Sequence, residues 1–200
     1  MKQILFATIN ESKVKRFQKA LLENNIEMLT LKDIDTAIEI EENGSTAIEN
    51  ALIKARAYAS ITNIATLAMD DNLYLENVPS TYQPGVYVRR VNGKRLTDEE
   101  MIKYYTNLVQ EYGVDGKLVA RWVHGLALVI GEEEFTYSWS NSDFDLITTP
   151  SEIIHPGYPL DSISINRKLN KYFTELTKED KLSIQEDETH AVEWIVSHMK

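Results

Sequence analysis

Asn43-Gly44-Ser45-Thr46-Ala47-Ile48-Glu49-Asn50-Ala51-Leu52-Ile53-Lys54-Ala55 opens a helix directly after a glycine turn. It loads the first turns with a carboxylate, a carboxamide and an amine. Thr46 followed by Glu49 matches a capping box, in which Glu49 would bind back to the Thr46 amide. Asn50 and Lys54 are four apart and share a helix face. Asn50 is a poor helix former, so its place in the first turn points to a side-chain role. Ala47, Ala51, Ala55 and Ala59 form a small-residue face suited to close packing on a sheet. The next apolar run, Ile64-Ala65-Thr66-Leu67-Ala68-Met69, leads into Asp70-Asp71, read as the end of a strand. Adjacent strand residues point to opposite faces, so two free aspartates rarely serve one structural purpose. One can hold magnesium while the other orients or deprotonates a water. A polar turn after a strand is the alternative.

Towards the N-terminus, Ile4-Leu5-Phe6-Ala7 ends in Thr8-Ile9-Asn10-Glu11-Ser12-Lys13, a strand-to-helix junction. Free amides and the positive helix end favour phosphate there; Thr8 and Asn10 can bond phosphate oxygens and Lys13 adds a point charge. A capped helix with a surface lysine is the plainer reading. The flanking glycines of a P-loop are missing. Acids for a divalent metal and amines for phosphate thus meet at element ends, a combination suited to phosphoryl chemistry on a nucleotide.

Further along, residues 2–9, 27–31 and 65–69 predict strands, and 46–61 and 97–112 predict helices, the latter capped by Thr97 or Asp98. Val14, Phe17, Ala20 and Leu21 fall at helical spacing after Asn10. Residues 118–130 and 134–139 predict a hairpin around Gly131; 73–85 and 148–160 read as irregular or loop-rich; 187–198 closes the chain as a helix. Early alternation of strands and helices followed by a hairpin argues a mixed-sheet α/β architecture. The four histidines, His124, His155, His190 and His198, form no close helical metal pair, and His124 reads as a core or edge histidine.

The 200 residues suffice for one large domain or two small lobes, and 43% are hydrophobic. With no cysteine, thiol catalysis and cysteine-ligated metal sites are excluded. A net charge of −10 argues against nucleic acid polymers and anionic membranes but leaves small nucleotides open, held by local lysines and a metal. The first apolar run is too short for a signal-peptide core or a membrane span, so a soluble cytoplasmic protein is expected.

Together these residues resemble the inosine triphosphate pyrophosphatase family over most of the chain. Residues 42–55 are its closest motif. Ala7-Thr8-Ile9-Asn10-Glu11-Ser12-Lys13-Val14 is similar to its phosphate-binding opening, with Ile9 where a glycine is usual. Ala68-Met69-Asp70-Asp71-Asn72-Leu73 is similar to its Ala-Asp-Asp-Ser-Gly-Leu signature, displaced by one inserted residue and lacking the glycine. Pro84-Gly85-Val86-Tyr87-Val88-Arg89-Arg90 matches the next block, with Arg90 at the family's arginine. Ala120-Arg121-Trp122 resembles the arginine-bearing strand, and Phe173-Thr174-Glu175-Leu176 with Lys181 the late block.

The resemblance implies an elongated mixed sheet flanked by helices, two lobes around a central cleft, one domain over residues 1–200 and a homodimer. It implies Mg2+ on Glu49 and Asp71, catalysis by Asp71 (the base), Asp70 and Lys54, and a nucleoside triphosphate bound by Thr8, Asn10, Lys13, Asn50, Asn72, Arg90, Tyr158 and Lys181. The C-terminal third departs from the family. His155-Pro156-Gly157-Tyr158-Pro159-Leu160 stands for Gly-Phe-Gly-Tyr-Asp-Pro, and Gln185-Glu186-Asp187 for Ser-His-Arg. The stacking aromatic and the base-reading aspartate are thus replaced. The expected function is a magnesium-dependent nucleoside triphosphate pyrophosphohydrolase, an enzyme of nucleotide house-cleaning. The alternative is a nucleotide-binding or oligomeric module that kept the fold and lost turnover.

Overall fold

The computed structural model describes residues 1–34, 38–140, 143–184 and 188–200. In chain order its elements are β1 (Lys2–Phe6), α1 (Glu11–Glu23), β2 (Ile26–Thr30), α2 (Ala47–Thr62), β3 (Thr66–Leu75), β4 (Arg90–Val91), β5 (Lys94–Arg95) and α3 (Asp98–Tyr112). They are followed by β6 (Lys117–Ile130), β7 (Glu133–Ser140), β8 (Phe144–Ile147), β9 (Ser164–Asn166), β10 (Lys171–Tyr172), α4 (Lys178–Ser183) and α5 (Thr189–His198). The chain weaves two compact units, one from Met1–Asp71, His124–Trp139 and Asp187–Lys200, the other from Asn72–Val123 and Ser140–Glu186.

In the first unit the strand order is β2-β1-β3-β6-β7, and β1 runs parallel to both β2 and β3. Side-chain alternation sorts this sheet into two faces. Ile4, Phe6, Leu67, Met69, Leu126 and Leu128 pack with Phe17 and Leu21 of α1 and Ala191 and Ile195 of α5. Leu5, Ala7, Ala68, Ala127 and Val129 pack with Ala51, Ala55 and Tyr58 of α2. Ala47, Ala51 and Ala55 are buried, as their small-residue face predicts. They let α2 approach closely enough that a Cβ on Gly125 of β6 would lie 2.6 Å from the Ile48 nitrogen and 2.7 Å from the Ala47 carbonyl carbon.

The second unit pairs β3, β6, β8, β9 and β10 in the order β3-β6-β8-β9-β10, antiparallel from β6 to β10. Its core joins Leu73, Leu75, Leu118, Phe144 and Leu146 to Met101, Tyr105 and Leu108 of α3. Thr97 and Glu100 complete a full capping box there. Parallel and antiparallel pairing both occur, with helices on the sheet, which is the mixed α/β class expected.

Two expectations need correction. β3 does not end at Asp70-Asp71 but runs on to Leu75. It pairs on both sides, with β1 and β6, and the polar side chains are tolerated because each finds a charged partner. Residues 86–96, for which no element was expected, hold β4 and β5. These form a hairpin across Asn92-Gly93, both at positive φ (49° and 78°), the two-residue turn favoured between antiparallel strands.

Candidate active site

Parity along β3 delivers its two acids to different helices. Asp70 shares a face with Ala68 and meets α2; Asp71 shares a face with Met69 and meets α1. The Asn50 carboxamide donates to Asp70 Oδ2 at 2.9 Å, and Lys54 Nζ lies 3.5 Å from Asp70 Oδ1. Lys13 Nζ lies 2.7 Å from Asp71 Oδ2. Both lysines also donate to one acceptor, the Met69 carbonyl, at 3.3 Å from Lys13 and 3.2 Å from Lys54. Their side chains retain only 12% and 13% exposure, so both ammonium groups are held in a largely dry setting. Glu42 adds a carboxylate 3.1 Å from Lys54.

Asn50 earns its unfavourable place in the helix. It is buried, and its Oδ1 accepts from the Gly44 amide at 2.8 Å while its Nδ2 serves Asp70. A Cβ on Gly44 would stand 2.7 Å from that Oδ1, so only glycine lets the turn close on Asn50. Glu49 is exposed, and its Oε2 accepts from the Ser45 amide at 2.6 Å and the Ser45 hydroxyl at 2.7 Å. These bonds hold its carboxyl below the usual range. Thr46 caps the Glu49 amide. The return bond of the box thus goes mainly to Ser45, one residue earlier than expected.

His124, which the sequence reads as a core or edge histidine, reaches the acids. Its Nδ1 lies 2.5 Å from Asp71 Oδ1, so Asp71 is gripped from both oxygens. Burial alone would push the Asp71 carboxyl up. The His124 hydrogen bond and the Lys13 charge outweigh it and hold the carboxyl well below the usual range. No spacing signal connects the two residues, which are 53 apart. The available hint was parity: two residues before Leu126, a histidine lands on the face that carries Asp71.

At the N-terminal junction, Asn10 caps α1, accepting from the Ser12 and Lys13 amides at 2.9 and 3.4 Å, and Thr8 Oγ1 accepts from the Asn10 amide. The amides proposed for phosphate are therefore already satisfied by Asn10. Ile9 projects into solvent, 89% exposed.

The remaining expected residues lie in the second unit. Asn72 follows on β3, its Oδ1 buried without a hydrogen-bond partner. Exposed Arg90 borders a cavity of about 180 Å³ with Tyr82, Tyr87 and Tyr104. Tyr158 is half exposed and Lys181 sits on α4. Burial pushes the carboxyl of Asp161, not singled out from the sequence, up, with His155 and Lys181 near enough to oppose it. An acid thus stands two residues beyond the position where Pro159 replaces the family's aspartate. Gln185-Glu186-Asp187 lies outside the described residues.

The sequence model of the Ham1 family matches residues 4–193. The dITP/XTP pyrophosphatase of Wigglesworthia glossinidia brevipalpis is 34% identical over 188 residues, covering 92% of this chain and 90% of that protein. The dITP/XTP pyrophosphatase of Bacillus subtilis (strain 168) is 31% identical over 185 residues, covering 92% and 90%. The solved structure of a HAM1 protein from Coxiella burnetii aligns with a TM-score of 0.79 at 26% identity, covering 100% of this chain and 98% of that one.

Proposed function

The chain belongs to the Ham1 family, and on that footing we propose that it is a magnesium-dependent nucleoside triphosphate pyrophosphohydrolase. Water attacks the α-phosphorus, and the products are a nucleoside monophosphate and pyrophosphate. The observation that carries the reading is the pair of lysines on the Met69 carbonyl, each neutralising one acid of Asp70-Asp71. Such an arrangement has ammonium charge to give to phosphate and carboxylate charge to give to a cation.

The donors that would hold magnesium are Glu49 and Asp71, hard oxygens of the kind this ion takes. The acids are engaged within the chain, and the described residues contain no ready cluster of three acidic or histidine side chains. The fit is one of donor chemistry alone, since Asp71 meets α1 on one side of β3 and Glu49 belongs to α2 on the other. When bound, the ion supplies charge neutralisation on the phosphate oxygens. Lys54 and Lys13 bind the departing pyrophosphate. Asp71 accepts the proton of the attacking water, and the departure of Lys13 removes one of the two groups that lower its basicity. Asp70 assists, oriented by Asn50. Thr8, Asn10, Asn72, Arg90, Tyr158 and Lys181 complete the substrate contacts.

We further propose that residues 1–200 form one domain, since the chain passes between its units four times, and that the protein is a cytoplasmic homodimer acting on unusual purine nucleotides. No helix among the described residues is long and apolar enough to cross a membrane. The decisive experiment is pyrophosphate release from a panel of nucleoside triphosphates with magnesium, with light scattering for the dimer. Tight nucleotide binding without release from any member would favour the module that lost turnover.

A further inference from the structure

His124 sits on β6 with its ring 4.9 Å from the Trp139 ring at 42°. Trp139 is held in turn by Tyr137, stacked at 5.8 Å, and by the Arg16 guanidinium at 6.0 Å. Directly after His124, Gly125 presses on the first turn of α2 with no room for a Cβ. The imidazole is therefore fixed by packing on its ring and by the backbone that carries it. The Lys13 ammonium lies 2.7 Å from Oδ2 and Nδ1 lies 2.5 Å from Oδ1, so the carboxylate is placed as the acceptor on both oxygens and Nδ1 as the donor to Oδ1. The two oxygens of Asp71 then differ. Oδ1 is tied to a rigid, buried ring, with the His124 side chain 6% exposed; Oδ2 is tied to the flexible arm of Lys13.

We propose that His124 is a positioning residue of the pyrophosphohydrolase reaction, its Nδ1–H holding Asp71 Oδ1 so that Oδ2 is the oxygen that works when Lys13 moves to a phosphate. The inference rests on the role given to Asp71 in the proposed function. Hydrogen-bond partners of metal-binding and catalytic carboxylates fix ligand orientation, and their loss costs about 10–100-fold in metal affinity or activity.

The test separates hydrogen bonding from packing. His124→Phe keeps a ring against Trp139 and removes the N–H; His124→Asn and His124→Gln each keep an amide N–H and lose the ring. For each variant, kcat and KM are measured with magnesium and a turned-over triphosphate, Mn2+ affinity by calorimetry, and Tm by thermal denaturation. The expected result is a fall in kcat of about 10–100-fold for Phe, with KM within about threefold, and Mn2+ affinity weakened by about tenfold or more. At least one of Asn and Gln recovers both to within about threefold of wild type. A packing role predicts the reverse, with Phe like wild type and both amides impaired at lowered Tm, and that pattern overturns the proposal. If wild type binds Mn2+ but turns over no triphosphate, the hydrolase reading fails and the Mn2+ affinities alone decide for or against His124. A wild-type chain that neither binds Mn2+ nor turns over a triphosphate overturns both.

Discussion

Each carboxylate of the site is held by a different partner, and the partner sets what the carboxylate can do. Asp71 is clamped by a lysine and a histidine, Asp70 by a lysine and a carboxamide, and Glu49 only by the neighbouring serine. Asp71→Asn keeps an oxygen for one of its two donors and removes the charge. We expect kcat to fall at least about 100-fold while Tm stays within a few degrees, since several kcal/mol of charge stabilisation is at stake in the transition state. Glu49→Gln keeps an acceptor for Ser45, so its Tm should not move, yet turnover should fall at least about tenfold if Glu49 holds the metal. Wild-type rates in that variant would remove Glu49 from the metal site. Asp161 makes a prediction of opposite sign. Its folded carboxyl is raised, so ionising it costs stability that begins to be lost as pH climbs through the unfolded value, about 4, and is fully lost above the folded one. Asp161→Asn should therefore raise Tm at pH 7, and the gain should vanish below about pH 4. A Tm difference unchanged between pH 3 and pH 7 would refute this.

At the scale of elements, the first turn of α2 and the middle of β6 are mutually fitted. Gly125→Ala would place a methyl against the Ile48 nitrogen and the Ala47 carbonyl carbon, backbone atoms that cannot swing away. Overpacking of this kind costs about 1–3 kcal/mol, and about 2–4 °C of Tm per kcal/mol is expected at this chain length. Turnover should fall with it, because the same shift moves Glu49, Asn50 and His124. Gly131→Ala is the control: it meets open space and pays only for its positive φ of 61°. Equal Tm losses at both positions would show that the close approach does not matter. The long periodic helices α1, α2 and α3 and the β6–β7 hairpin were legible in the sequence because caps, period and turn residues lie within a few positions of each other. β8, β9, β10 and α4 were not, since elements of two to six residues have too few positions to show a period. The Asn92-Gly93 pair is a hairpin signal within the sequence itself.

For the whole molecule, substrate choice is the property most exposed to the departures in the C-terminal third. With His155-Pro156 and Gln185-Glu186-Asp187 at the positions of the purine readers, base preference should be weak. kcat/KM for inosine triphosphate should exceed that for adenosine or guanosine triphosphate by less than about tenfold, or about 1.4 kcal/mol, at one magnesium concentration. A hundredfold preference would mean that other residues rebuilt the pocket, and Asp161 beside Lys181 would be the first to mutate. The chain's linear order was enough to show that Asp70 and Asp71 must part to opposite faces, and that helices start at Thr46 and at Thr97 or Asp98. These follow from the period of a strand and from caps that act over three or four residues. Strand order alone decided the partnerships. It put β6 beside β3, so that His124 reaches Asp71 across 53 residues, and it brought Lys13 and Lys54 to the same Met69 carbonyl from opposite faces of the sheet. Pairing between distant strands depends on which edges the folded core leaves adjacent, and no local run of residues records that.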